Sequence, residues 1–93
     1  MIIGVCRIEV LISDSRSLKE KRYVLNSLKA QISNKFNVSV AEVEDNDLWQ
    51  KAVLGVAVVS NGTKHANQVI SNVIKLIEND RRVQLLDYTL EMK

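Results

Sequence analysis

A chain of 93 residues, 46% of them apolar and 26% charged, can bury one two-layer core, is too short for two, and is too apolar to be disordered. Thirteen basic against eleven acidic residues leave a net charge of +2, too small to signal nucleic-acid binding by its sum; the placement of the charges decides more. One cysteine excludes an internal disulfide, and no signal peptide or membrane span is legible, so a cytoplasmic, non-membrane protein is expected.

With no proline, linker or low-complexity stretch, residues 1–93 read as a single domain. Met1 to Ile12 is rich in Ile and Val. Its even positions Ile2, Cys6, Ile8, Val10 and Ile12 share one apolar face, which predicts a strand with Cys6 as a small core residue. The opposite face mixes Ile3, Val5 and Leu11 with Arg7 and Glu9.

Ser17 followed by Glu20 has the spacing of a capping box, in which the hydroxyl takes a first-turn N–H and the carboxylate reaches back to the cap. A helix runs from Leu18 to about Asn34, with Leu18, Val24, Leu25, Leu28 and Ile32 on one side. Lys21 falls inside that apolar arc. Two readings apply to it: a stem lying on the core edge with its ammonium in water, or an ammonium aimed over the sheet end toward a bound anion. Lys19, Lys21 and Arg22 stand near a helix N-terminus, where the dipole favours acids, and that makes the stretch Ser15 to Arg22 the best functional clue.

Phe36, Val38 and Val40 alternate with polar residues in a second strand ending near Val43. An acidic connection follows, with Glu42, Glu44, Asp45 and Asp47. It lacks the glycine and terminal glutamate of a calcium loop and offers no His/Cys set for zinc, so no metal and no cofactor is expected. Lys51 to Val59 is apolar on both faces, the profile of a central strand. Ala66, Val69, Ile70, Val73, Ile74 and Ile77 then recur at helical spacing behind a cap at Asn61 or Thr63, with His65 as a surface residue. Val83 to Met92 returns to strand, with Leu86, Tyr88, Leu90 and Met92 in alternation.

The order strand, helix, strand, strand, helix, strand predicts an α+β ferredoxin-like βαββαβ fold, a four-stranded antiparallel sheet with two helices on one face. In that topology the loop after the first strand, the acidic hairpin and the turn Asn79 to Arg82 meet at one end of the sheet. The basic helix start is then either answered internally by Glu42, Glu44, Asp45 and Asp47 in an ion-pair network, or it contacts phosphate through Arg16, Lys19, Lys21, Arg22, Arg81 and Arg82.

The blocks Ser15-Arg-Ser-Leu-Lys-Glu-Lys-Arg22, Phe36-Asn-Val-Ser-Val-Ala-Glu-Val43, Asp47-Leu-Trp-Gln50 and Val53-Leu-Gly-Val-Ala-Val-Val-Ser-Asn61 closely resemble the YlxP-like bacterial family of unknown function. The resemblance spans essentially the whole chain. It implies a ferredoxin-like fold and genes that neighbour those of translation initiation and ribosome maturation, and it implies no catalytic residue. Glu44 stands where the family often has glycine.

Two function classes follow. One is an RNA- or ribosome-associated binding module that contacts mainly backbone, because the aromatic pair of RNA-recognition strands is missing and only Tyr88 and Trp49 are candidates for stacking. The alternative is a self-association module, a homodimer formed through the uncovered sheet face at Ile3, Val5, Val53, Ala57 and Val59. With one His, one Cys and no positioned acid pair, no enzyme is expected.

Overall fold

Alternation along the first strand, β1 (Ile2–Leu11), buries Gly4, Cys6, Ile8 and Val10 together, and Ile12 just beyond it joins them. The computed structural model describes residues 1–93 and continues with α1 (Leu18–Lys35), β2 (Ser39–Glu44), β3 (Lys51–Ser60), α2 (Thr63–Glu78) and β4 (Gln84–Met92). The four strands are antiparallel in the order β2-β3-β1-β4, and both helices lie on one face: the fold is α+β and ferredoxin-like. β1 and β3 are the central strands, paired from Ile2 with Ser60 to Leu11 with Lys51.

The core fills the space between that pair and the helices. Cys6, Ile8 and Val10 on β1 and Ala52, Leu54, Val56 and Val58 on β3 meet Leu25, Leu28 and Ile32 of α1 and Ala66, Ile70, Val73 and Ile77 of α2. Gly4 lets α2 approach closely, since a Cβ there would stand 3.0 Å from Ile70 Cδ1 and 3.0 Å from Val58 Cγ1.

Three boundaries differ from the sequence reading. Phe36 ends α1, donating its N–H to Ile32 O, so β2 begins at Ser39 and residues 36–38 only lead into it. The cap of α2 is Gly62, which has no side chain to take a first-turn N–H; Ser60 Oγ accepts the N–H of Gly62 itself, at 3.1 Å. In β4 the register shifts opposite Glu9 and Val10, so Leu85 rather than Leu86 packs against the core, and Leu86 is 45% exposed.

The sheet face away from the helices is only partly open. Val53 has no exposure: Glu9 and Glu44 flank it on the neighbouring strands, and Arg7 bridges those two carboxylates at 3.5 and 2.7 Å. Side-chain stems thus cover the end of the face nearest the acidic hairpin, and Val53 is withdrawn from the proposed self-association set. Ile3, Val5 and Ala57 are half-buried on the same face, and Val59 is exposed.

Candidate nucleic-acid interface

The N-terminus of α1 carries a capping box in part. Ser17 Oγ accepts the Glu20 N–H at 3.2 Å, and Glu20 reaches back to the Arg16 N–H at 2.6 Å, one residue before the cap. Buried Ser15 donates to Ser17 O, while Gln50 Nε2 donates to Ser13 O and Ser15 O across the end of the sheet. Of the first-turn N–H groups, that of Glu20 is taken by the cap and those of Leu18 and Lys19 have no partner within the chain, so an anion at this end would meet two backbone donors as well as side-chain cations.

The six basic candidates separate. Lys21 is 1% exposed and points into the molecule. Its ammonium donates to Asp45 O at 2.6 Å and forms an ion pair with Glu42 at 2.9 Å, an approach too poorly aligned to count as a hydrogen bond to Oε2. Lys21 therefore neither snorkels into water nor is open to a bound anion; it is answered within the chain, as the internal ion-pair alternative expects, and ties α1 to the hairpin. Arg82 forks onto Asp80, at 3.0 Å from Oδ1 and 2.7 Å from Oδ2, and donates to Ser27 Oγ at 3.1 Å. These bonds hold the Arg82 guanidinium above its ordinary pKa and the Asp80 carboxyl below its own. Arg16, Lys19, Arg22 and Arg81 are exposed, and none has a carboxylate within ion-pair distance.

Of the four hairpin acids that could have answered those four, three are engaged elsewhere and Asp47 pairs with no cation. Glu42 holds Lys21, Glu44 holds Arg7, and Asp45 shares Lys51 with Glu9. The ion-pair network exists, and its cations lie chiefly on the strands; hydrogen bonds to Glu44 and to Glu9 respectively raise the pKa of Arg7 and Lys51.

Charge is consequently divided by layer. Residues 16–35 and 62–82, the two helices with their caps and exits, hold ten of the thirteen cations and three of the eleven acids, a net +7. The strands, the hairpin, Lys93 and Asp14 of the loop before α1 hold the remainder, a net −5, Asp14 itself lining the cleft beside the start of α1. Lys29, Lys35, Lys64 and Lys75 belong to the basic layer and were missed as candidates; a count of charges element by element would have found them.

Two depressions open on this layer. A cleft of about 650 Å³ lies beside the first turns of α1, with Lys19, Glu20, Tyr23 and Arg82 among its walls. Tyr23 is 74% exposed there, an aromatic ring beside two cations. A groove of about 870 Å³ between the helices is lined by Lys35, Lys75, Arg81 and Arg82, the carboxylate of Asp80 that Arg82 holds, and the carboxamides of Gln31, Asn72 and Asn79, and meets the cleft at Arg82. Trp49 and Tyr88, both exposed, lie outside these two depressions.

No other constellation offers chemistry of comparable extent. His65 Nδ1 lies 2.9 Å from Ser60 Oγ, with no carboxylate behind the ring. No cluster of three His, Cys, Asp or Glu side chains is placed to hold a metal ion, and no helix is long and apolar enough to cross a membrane.

A de novo designed protein with a ferredoxin fold, solved by solution NMR, superposes with a TM-score of 0.58 over 100% of this chain and 84% of its own, at 10% identity, a likeness of fold alone. The uncharacterized protein YlxP of Bacillus subtilis (strain 168) is 37% identical over 78 residues, which cover 84% of this chain and 85% of that relative. Residues 3–90 match the family described as "Protein of unknown function (DUF503)". Matched along nearly its whole length, the chain belongs to this YlxP-like family of unknown function.

Proposed function

We propose that the protein is a cytoplasmic, RNA- or ribosome-associated binding module, not an enzyme, and that its helical layer contacts phosphate. The observation that carries this reading is the division of charge: a small net charge is resolved into a basic helical layer, with Arg16, Lys19, Arg22 and Arg81 in no ion pair, and an acidic sheet layer. Phosphate is the polyanion best matched to such a surface, and exposed Tyr23 beside Lys19 gives a base a ring to stack on. Arg82, already forked onto Asp80, is a secondary contact.

Binding of this kind falls steeply with salt, with a log–log slope of roughly 0.9 per phosphate contact on duplex and about 0.7 on single strands. Lys19→Gln with Arg22→Gln lowers both affinity and slope for rRNA fragments and leaves the melting temperature within a degree or so of the parent, since both side chains are exposed. Unchanged binding by the double variant at matched salt refutes the proposal.

A second reading, self-association through the open sheet face, is favoured by Val59, 64% exposed beside half-buried Ile3, Val5 and Ala57. Val59→Glu abolishes such an assembly, and light scattering reads the change.

A further inference from the structure

The two edges of the sheet are protected unequally. β2 is six residues long, carries Glu42 and Glu44 and is kinked by a register shift between them, all of which discourage pairing with another strand. β4 is nine residues long and shows Leu86, Tyr88 and Leu90 at 45%, 47% and 37% exposure. Its backbone directions follow from the hydrogen bonds at its end. Ile3 and Lys93 exchange both N–H···O bonds, at 3.0 and 2.8 Å, so Lys93, Glu91, Thr89 and Asp87 turn their backbone groups toward β1. Met92, Leu90 and Tyr88 turn theirs outward, and the Tyr88 N–H, which donates to its neighbour's Asp87 Oδ1 at 2.8 Å, agrees with that direction.

We infer that β4 pairs antiparallel with β4 of a second copy of this chain, in the register that sets Leu90 opposite Leu90, to form a continuous eight-stranded sheet. That register pairs the outward groups of Leu90 with those of the second Leu90, and those of Tyr88 with those of Met92, the Tyr88 N–H exchanging Asp87 Oδ1 for the Met92 carbonyl and so freeing the Asp87 carboxylate. It sets Tyr88 opposite the second copy's Met92 on the helix side, and Asp87 opposite its Lys93 on the other, an attractive pair made twice by the two-fold axis. Centring the axis on Thr89 would instead oppose Asp87 with Glu91. On the helix side a hollow of about 260 Å³ between α2 and β4, walled by Ile70, Ile74, Tyr88 and Leu90, runs along the seam, with Lys75 and Glu78 among its lining residues as a further pair of opposite sign. The inference concerns a surface separate from the open face and stands apart from the RNA reading.

The test combines mass, crosslinking and charge reversal. The parent chain is expected at twice its mass by light scattering across micromolar concentrations. In a Cys6→Ala background, needed because Cys6 stands directly opposite Leu90 on β1 and would otherwise form an intrachain disulfide with it, Leu90→Cys is expected to give a covalent dimer on oxidation, whereas Val59→Cys on the open face gives none. Asp87→Lys and Lys93→Glu each weaken the dimer by roughly fivefold, two opposed pairs being lost per assembly, and the double variant restores it. A monomeric parent up to submillimolar concentration, a covalent dimer from Val59→Cys with none from Leu90→Cys, or failure of the double reversal to restore the dimer overturns the inference.

Discussion

Lys21 illustrates how a side chain near a functional-looking stretch can belong to the frame. Its ammonium lies at 1% exposure between Asp45 O and Glu42, so removing Glu42 leaves a buried charge without its counterion. Glu42→Gln should therefore destabilise the fold by about 2–3 kcal/mol, less than for a fully buried pair because the Glu42 side chain is 17% exposed; the shift in urea midpoint measures it. Lys21→Met in the same background should recover much of the loss, since it removes the stranded charge and keeps the volume. The apolar arc of α1 already placed Lys21 at the core edge. Glu42 and Asp45 were among the acids expected to answer the basic helix start; what was not legible is that Lys21 takes both, because Asp45, 24 residues further along, offers its carbonyl rather than its carboxylate through the left-handed turn at its own position, with φ of 63°. Val53 was misread for a related reason: alternation gives the face of a residue, while the Arg7–Glu44 bridge that covers it spans three strands.

At the scale of elements, strand and helix order followed directly from hydrophobic period. What period could not supply was the point where it slips. The bulge in β4 exchanges Leu85 for Leu86 at the core without altering composition, and Ser60 rather than Asn61 or Thr63 supplies the side-chain bond at the start of α2 because the chain turns back on itself there. The contact between α2 and the sheet gives an element-level prediction. Gly4→Ala inserts a methyl group at 3.0 Å from Ile70 and Val58, forcing α2 outward at a cost of roughly 1–3 kcal/mol. Gly62→Ala, where a Cβ meets nothing within 4 Å, is the control and should melt within a few degrees of the parent.

At the scale of the whole molecule, the acidic and basic layers make the sheet and the helices electrically distinct, which a net charge of +2 conceals. The core between them contains one ionisable group that both layers shield. Burial pushes the Cys6 thiol up to about 11, whereas in the unfolded chain it titrates near ~8.5. Its pKa is raised on folding, so the protonated thiol favours the native state below the unfolded value. That contribution is lost as pH rises from about 8.5 toward 11. Denaturant titrations over this range should show stability falling in the parent and a flatter profile in Cys6→Ala, offset downward by the small cavity.

The same burial turns Cys6 into a clock for opening. It is the chain's only thiol and has no exposure, so an alkylating reagent reaches it only when helices and sheet part. Labelling at neutral pH then counts excursions from the native state one molecule at a time. Any RNA or second copy that grips the native form alone must slow that count in proportion to its occupancy, giving an assay of binding that requires no knowledge of where the ligand sits.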